Sequence, residues 1–394
     1  MGIPSFNNAD TIGHVVRAVQ AGFAKYFPDK RAILINSDGG SEDGTNEIVE
    51  RTVIDDFQPL LIDQRQSILS KISTPYHGLP GKGSAFRTIF QVAKELGVKA
   101  CAVVDSDLRS ITPEWIDLLI RPVLDRGFDF VTPYYLRHKY DGTITNSIVY
   151  PVTRALYGQQ IRQPIGGDFG FSGKLAEFYL EKDVWGSDVA RFGIDIWMTT
   201  TAVANGFKVC QSFLGAKIHA AKDPSSDLSA MLTQVVSSLF MLMEDYEEKW
   251  KSVKKTDPVP LFGFQFSVGL EPLHVNIEKM ISMFSLGITE LSDLLQDILS
   301  SNSMKELVDV ASADTFNLSD DLWVHIIFDY AIACHRKIMN IEHILKTLTP
   351  LYLGKVASLV IEMTDSNAHE VEERLETLCL AFEKYKPYLI DNWD

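Results

Sequence analysis

The sequence is poor in cysteine and in basic residues. It contains only four cysteines among 394 residues, each in a separate apolar segment: Cys101, Cys210, Cys334 and Cys379. This spacing predicts reduced core residues and argues against disulfides or a zinc site. Acidic residues outnumber basic ones by 52 to 37, and the formal charge of −15 argues against a nucleic-acid partner.

Long apolar runs are also missing from the sequence. No run reaches the length needed to span a membrane, and the first eleven residues lack the basic and apolar regions of a signal peptide. These features predict a soluble, cytoplasmic protein with no membrane span. With 46% hydrophobic residues, the chain can still form one large or two medium cores.

The first 222 residues alternate between short apolar runs and amphipathic segments. The apolar runs predict strands at 32–35, 59–62, 100–104, 128–132 and 208–210. The amphipathic segments predict helices at about 10–26, 44–52, 83–96 and 113–124. Repeated βα units of this kind predict an α/β domain with a mainly parallel, doubly wound sheet.

Residues 223–394 have a different pattern. Apolar residues recur at helical spacing, with charged opposite faces, in segments 228–250, 275–284, 286–299, 322–345 and 368–385. These segments predict an all-helical C-terminal region that packs and oligomerises, and we expect a homodimer. The polar segment 254–260 is expected to be a loop within it.

Two carboxylates lie one residue apart directly after the apolar run at 100–104. The sequence there is Asp105-Ser106-Asp107, followed by a helix start at Thr112-Pro113. Open α/β sheets bind ligands at the carboxyl ends of their strands. A D-x-D taken alone is more often a turn or a helix cap than a ligand site, so other motifs have to decide between these interpretations.

Two earlier segments have the same strand-to-helix character. Residues 3–8 read I-P-S-F-N-N before the first predicted helix, and residues 38–45 read D-G-G-S-E-D-G-T after a predicted strand. Together with D-S-D, these blocks resemble the nucleotide-sugar half of family 2-like glycosyltransferases of the GT-A (Rossmann-like) type. That resemblance implies a nucleoside diphosphate sugar as donor, a GDP-, UDP- or ADP-hexose.

The GT-A resemblance also implies roles for particular residues. Asp105 and Asp107 would hold Mg²⁺ or Mn²⁺, whose positive charge stabilises the departing diphosphate. Nucleotide-sugar binding would fall to residues of the three motifs and of the turn Gly81-Lys82-Gly83: Pro4, Asn8, Asp38, Lys82, Asp105 and Ser106.

Three further blocks are similar to glucosyl-3-phosphoglycerate synthases and to mannosylglycerate-type enzymes. They read Q-P-I-G-G-D at 163–168, R-F-G-I-D at 191–195 and L-G-A-K-I-H at 214–219. The resemblance covers about residues 2–222. It implies that His219 is a metal ligand and that Asp168 and Asp195 act catalytically at the sugar.

The stereochemical course is predicted from the R-F-G-I-D block at 191–195. An inverting enzyme would use a carboxylate as general base, and Asp195 could take that role. However, Ile194 stands where inverting relatives carry glutamate, and no Q-x-x-R-W motif follows. The mannosylglycerate-type relatives retain configuration, so retention is favoured.

The acceptor is inferred from a position at which this sequence differs from the phosphoglycerate synthases. Phosphoglycerate synthases carry G-R-V-T before the Q-P block, whereas this chain has Gly142-Thr143-Ile144-Thr145. Without that guanidinium, D-glycerate held by Thr143, Thr145 and Asn146 is favoured. Transfer to 3-phosphoglycerate, with Arg137, His138 or Lys139 at the phosphate, and transfer to a lipid or polysaccharide remain alternatives.

Overall fold

The computed structural model describes residues 1–52, 69–218, 228–266, 273 and 275–393. The chain separates into two compact units, each assembled from non-contiguous segments. The first unit comprises Met1–Leu136, Ile161–Ala221 and Val259–Gly269. The second unit comprises Arg137–Gln160, Lys222–Pro258 and Leu270–Asp394.

The first unit is built on one eight-stranded sheet among the described residues. Its strands, in chain order, are β1 (Gly2–Ser5), β2 (Ala32–Asp38), β3 (Leu69–Pro75), β4 (Ala100–Val103), β5 (Phe130–Leu136), β7 (Phe169–Ser172), β8 (Val209–Ala216) and β10 (Leu261–Phe262). The spatial order is β10-β8-β5-β7-β4-β1-β2-β3. Only β7 runs antiparallel to its described neighbours, β4 and β5. The sheet is thus mainly parallel, as expected for a GT-A domain.

Helices cover the sheet through apolar stripes. They are α1 (Ala9–Tyr26), α2 (Thr45–Arg51), α3 (Lys82–Glu95), α4 (Pro113–Arg126), α6 (Gly173–Leu180) and α7 (Ile194–Ala204). In α1, Ile12, Val15, Val19 and Phe23 recur at helical spacing and are buried in the main core. Helix α4 starts with a proline, where a missing N–H costs nothing, and is followed by Gly127 with φ of 68°.

The second unit is helical. Its helices are α5 (Tyr150–Tyr157), α8 (Ser229–Asp245), α9 (Glu247–Ser252), α10 (Ile277–Glu290), α11 (Ser292–Ile298), α12 (Ser301–Ser312), α13 (Asp320–His335), α14 (Ile341–Glu362) and α15 (Ala368–Trp393). A short parallel pair, β6 (Gln159–Gln160) with β9 (Asp257–Pro258), joins two of its segments. Ion pairs add to the packing, since the buried guanidinium of Arg154 binds the partly exposed Glu376 and Glu383.

The grouping of segments differs from the contiguous domains 1–222 and 223–394 in two places. Residues 137–160 group with the helical unit, because α5 packs on α15. Residues 259–269 group with the sheet, because β10 pairs with β8. Segment 254–260 is therefore wrongly predicted as only a loop, since it contributes β9.

Several element boundaries also differ from the predictions. The segment 322–345 divides into α13 and α14, and 228–250 divides into α8 and α9. Helix α12 was not predicted, since its first turn is polar. The strand predicted at 59–62 lies outside the described residues.

One helix within the described ranges is long and apolar enough to cross a membrane. It is α14, with a mean hydropathy of 1.4 over its most apolar 18-residue window. The expectation that no segment reaches this length and apolarity is therefore wrong. However, 78% of that window is buried inside the protein, as is usual for the core helix of a soluble protein.

Candidate active site

The D-S-D motif lies in the middle of the sheet, at the carboxyl end of β4. Strand β4 is flanked by β1 and β7, and Val103 pairs with Gly2 on one side and Phe169 on the other. The backbone N–H of Asp105 donates to Asp168 Oδ1 at 2.8 Å. This contact brings the D-S-D segment against the Gly-Gly-Asp segment that precedes β7.

The Asp105 carboxylate is bound by two ammonium groups. Lys82 Nζ lies 2.8 Å from its Oδ1, and Lys217 Nζ lies 2.7 Å from its Oδ2. Burial alone would favour the neutral acid, but the two positive charges hold the pKa of Asp105 far below its usual value. Asp105 is therefore a carboxylate at neutral pH.

Asp168 is completely buried and accepts hydrogen bonds from three groups. Besides the N–H of Asp105, the Tyr135 hydroxyl donates to Oδ2, and Lys217 Nζ lies 2.9 Å from the same oxygen. Burial raises the pKa of Asp168, and the Lys217 ammonium opposes that rise. The residue is held rigidly from three sides.

Asp195 lies in the first turn of α7, and the described residues bind only one of its two carboxylate oxygens. Its Oδ2 lies 3.3 Å from Lys82 Nζ. Its Oδ1 is buried and accepts no hydrogen bond from any residue that the structure describes. Burial raises the pKa of Asp195, and the nearby Lys82 charge partly opposes this. An unsatisfied buried oxygen of this kind is suited to a ligand hydroxyl.

Lys82 begins α3 within a turn that requires glycine. A Cβ on Gly83 would lie 1.8 Å from the carbonyl oxygen of Val189, and one on Gly81 would lie 2.6 Å from that of Ala190. The turn therefore packs closely on the segment that leads into α7. A cation at a helix N-terminus opposes the helix dipole, so the position of Lys82 depends on its two carboxylate partners.

The first loop contacts the D-S-D motif directly. Asn8 Oδ1 accepts from Ser106 Oγ at 2.8 Å, and Thr11 Oγ1 donates to the Ser106 carbonyl at 2.9 Å. Pro4 lies on β1, paired with Ser37 of β2. The structure thus brings Asn8 and Ser106 together, as the motifs indicate.

The carboxylate of Asp38, which is predicted to bind the nucleotide sugar, accepts hydrogen bonds from the protein itself. Its Oδ1 accepts from Ser5 and Ser41 hydroxyls, and its Oδ2 accepts from the N–H groups of Gly40 and Ser41 and from the Asn46 amide. Burial alone would raise its pKa, but these donors hold the pKa below its usual value. Five donors fill the lone pairs of one carboxylate, so Asp38 organises the loop after β2.

The predicted metal ligands are only partly described. Asp107 is half-buried, and its carboxylate has no hydrogen bond or ion pair within the described ranges. His219 lies outside the described residues. No group of three His, Cys, Asp or Glu side chains suited to a metal ion occurs in the described part of the chain. Asp105 and Asp107 nonetheless offer hard oxygen donors of the type that Mg²⁺ and Mn²⁺ bind.

The residues predicted to bind the acceptor belong to the helical unit. Thr143 is buried, and its Oγ1 lies 2.5 Å from the Tyr352 hydroxyl. Thr145 begins a short π-helical turn, Thr145–Val149, and the Asn146 amide donates to the Asp141 carbonyl. The Thr143 hydroxyl is therefore already hydrogen-bonded within this unit. The inference that Thr143 binds the acceptor in place of the arginine of phosphoglycerate synthases loses its support.

The cations considered for a phosphate are engaged as well. Arg137 forms an ion pair with Asp141 at 3.3 Å. Lys139 Nζ donates to three carbonyls beyond the end of α14, those of Met363, Thr364 and Ser366. Both side chains have structural partners within the helical unit.

Lys217 and Tyr135 are site residues that the motifs did not reveal. Lys217 lies inside the L-G-A-K-I-H block, two residues before His219, and Tyr135 lies near the end of β5. The block was identified for its histidine, and sequence spacing gives no signal that Lys217 reaches two separate carboxylates.

A mainly parallel sheet with acidic residues at the ends of its strands, beside a lysine-bearing turn, is typical of GT-A glycosyltransferases. The chain belongs to the mannosylglycerate synthase glycosyltransferase-domain family, whose model matches residues 13–241, more than half of its length. It is therefore a glycosyltransferase. No curated protein sequence matches the chain.

Solved structures similar to this chain include several of glucosyl-3-phosphoglycerate synthase from Mycobacterium tuberculosis. One, with Mn²⁺, UDP and phosphoglyceric acid, is 21% identical, covers 61% of this chain and 76% of that chain, and has a TM-score of 0.45. Another, with Mn²⁺, UDP-glucose and glycerol 3-phosphate, is 21% identical, covers 61% and 78%, and has a TM-score of 0.44.

Proposed function

We propose that the chain transfers glucose or mannose, with retention of configuration, from a nucleoside diphosphate sugar to D-glycerate. The observation that carries this proposal is a row of five alternating charges at the carboxyl edge of the sheet. It consists of Asp195, Lys82, Asp105, Lys217 and Asp168, in that order of contact. We name it the charge row.

Three residues of the charge row have distinct proposed functions. Lys82 supplies a positive charge beside Asp105, where the diphosphate of a donor would lie. Asp195 presents Oδ1, which no described residue binds, to a sugar hydroxyl, and it presents a negative charge to an oxocarbenium-like transition state. Asp168 is a rigid buried acid that holds the D-S-D backbone.

A divalent cation fits the donor set of the D-S-D motif. Asp105 and Asp107 would hold Mg²⁺ or Mn²⁺, with His219 as a further ligand in the same proposal. The bound ion supplies charge stabilisation for the departing diphosphate. Within the chain itself, Lys82 adds to that stabilisation, and the contact of Asn8 with Ser106 fixes the loop beside the motif.

We propose retention because Ile194 stands where inverting relatives carry glutamate and no Q-x-x-R-W motif follows. A retaining reaction of this type lets the acceptor hydroxyl attack from the face that the diphosphate leaves, so that a diphosphate oxygen takes the proton. Asp195 then needs no role as a base, and its contact with Lys82 is consistent with a role at the sugar.

D-glycerate is favoured as acceptor over 3-phosphoglycerate. The family is named for mannosylglycerate synthesis. In addition, two cations lie just before the segment Gly142–Thr145 in the sequence, and both have other partners. Arg137 is bound to Asp141, and Lys139 is bound to backbone carbonyls. Thr143, Thr145 and Asn146 remain our candidates for contacts with the acceptor.

A lipid or polysaccharide acceptor is the second candidate. The exposed aromatic Phe264, which is 83% accessible, is the one observation that favours a larger acceptor. A small acceptor fits the acidic composition better, since binding to a lipid surface would favour a basic amphipathic segment.

A competition assay tests the choice of acceptor. UDP-, GDP- and ADP-linked glucose and mannose are each supplied with Mn²⁺ and an equal mixture of D-glycerate and 3-phosphoglycerate. We expect glycosylated glycerate to exceed glycosylated phosphoglycerate by at least about tenfold, the usual effect of one charge-assisted contact. An excess of the phosphorylated product would reject glycerate and leave the transferase assignment intact.

A further inference from the structure

Lys217 lies at the end of β8 and connects three separate segments of the chain. Its ammonium donates to Asp105 Oδ2 at 2.7 Å, to the Gly166 carbonyl at 2.8 Å and to Asp168 Oδ2 at 2.9 Å. These contacts use all three of its N–H donors. The side chain is only 5% exposed, so little solvent screens its charge.

The two carboxylates that Lys217 joins are close to each other. The Asp105 N–H binds Asp168 Oδ1, and a Cβ on Gly167 would lie 2.4 Å from Asp105 Oδ2 and 3.0 Å from Lys217 Nζ. Gly167 also has a φ of 88°, which favours glycine. The close packing leaves the Lys217 ammonium as the group that separates the two like charges.

Two carboxylates that contact the same ammonium group repel each other unless that cation lies between them. Asp168 is fully buried, so an uncompensated charge there would be costly. Without Lys217, the two carboxylates would relieve the repulsion by moving apart. That movement would displace Asp105 from the position at which the donor and its cation would bind.

We propose that Lys217 is a positioning residue, which neutralises Asp168 and thereby fixes the Asp105 carboxylate for binding of the nucleotide and its divalent cation. This inference rests on the proposed function, because it assumes that Asp105 takes part in donor binding. It assigns Lys217 no contact with the reacting atoms.

The test is a double-mutant cycle of Lys217→Met and Asp168→Asn. Binding of UDP, GDP and ADP is measured by calorimetry with Mn²⁺ present, and the diphosphate that binds wild type most tightly is used for all variants. We expect Lys217→Met to weaken binding by about tenfold to a hundredfold, the value of one charge-assisted contact. Adding Asp168→Asn should recover most of that loss, because the uncompensated charge is then gone.

Recovery of nucleotide binding in the double variant would show that Lys217 acts through its charge and not only through the packing of its side chain. Loss of the lysine stem alone would not be repaired by removing a charge from Asp168. A double variant that binds no better than Lys217→Met therefore overturns the inference. If Lys217→Met is unfolded, the double variant must regain a cooperative thermal transition and nucleotide binding, and its failure to do so overturns the inference equally.

Lys71→Met is the matched control. Lys71 Nζ also donates to three acceptors, but all three are carbonyls, those of Val49, Glu50 and Thr52. Its replacement should leave nucleotide affinity within about twofold of wild type, and Asp168→Asn should not improve it. If wild type binds none of the three diphosphates, the proposed function fails with the inference. If wild type binds and the cycle shows no coupling, only the inference fails.

Discussion

Each buried residue of the charge row is stable as an ion only because it contacts a residue of opposite charge. Asp105 would be costly to bury alone, yet it contacts Lys82 and Lys217 on opposite oxygens. The acids and Lys82 were predictable, since each belongs to a recognisable block. Lys217 was not, because its role depends on a distance between strands that the sequence does not reveal.

The role of the D-S-D motif can be tested at Asp107. Asp107→Asn keeps the shape of the side chain and removes its charge. We expect kcat/KM to fall by about a hundredfold or more, and the Mn²⁺ concentration at half-maximal activity to rise, because a ligand of the cation is weakened. Asp117→Asn, which removes only a surface pair with Arg121, should leave both values unchanged. Full activity of the wild type in EDTA would contradict a role for the divalent cation in transfer.

Asp195→Asn tests the contact with the sugar. Because the proposed contact strengthens in the transition state, kcat should fall by about a hundredfold while the donor dissociation constant changes by less than about threefold. Burial raises the pKa of Asp195, so wild-type kcat should decline on the acid side at a pH above the usual aspartate range. The variant should lack that decline, and an unchanged pH profile would argue against the role.

At the scale of elements, the Gly81-Lys82-Gly83 turn determines where Lys82 enters the site. Gly83→Ala would place a methyl group 1.8 Å from the Val189 carbonyl. The segment before α7 would have to shift, which we expect to lower the free energy of unfolding by about 1 to 3 kcal/mol and to weaken donor binding. Gly186→Ala, where nothing lies within 4 Å, is the control and should be nearly neutral in denaturant unfolding. Equal stability of the two variants would contradict this packing.

The elements that were predicted correctly carry local signals. Helices α1 and α4 have apolar residues at helical spacing, and α4 also has a starting proline and a following glycine. Antiparallel β7 and the helical residues 145–157 were missed, because their partners are distant in sequence. Asp38 was identified as a site residue from its motif, whereas its five donors come from β1, its own loop and α2.

At the scale of the whole molecule, each of the two units is assembled from three segments that are separated in the sequence. The strands that carry the charge row belong to the sheet unit, and the candidate acceptor residues belong to the helical unit. The helical unit also exposes apolar side chains, among them Met283, Leu286 and Val308.

A homodimer remains our prediction for the assembled protein. Exposed apolar residues on helices of the second unit are of the kind that dimer interfaces bury. Light scattering at micromolar concentration should give about twice the chain mass of 44.2 kDa. Replacing Leu286 with Glu should shift the mass toward one chain. A monomeric mass for wild type would exclude the dimer.

The most direct test of the central claim is the anomeric configuration of the product. The enzyme is incubated with Mn²⁺, D-glycerate and each α-linked nucleoside diphosphate glucose or mannose, and the product is examined by proton and carbon NMR. The account predicts a hexosyl glycerate whose anomeric centre has the same α configuration as the donor, formed only when the divalent cation is present. A β-linked product, or transfer to glycerate from none of these donors, would contradict it.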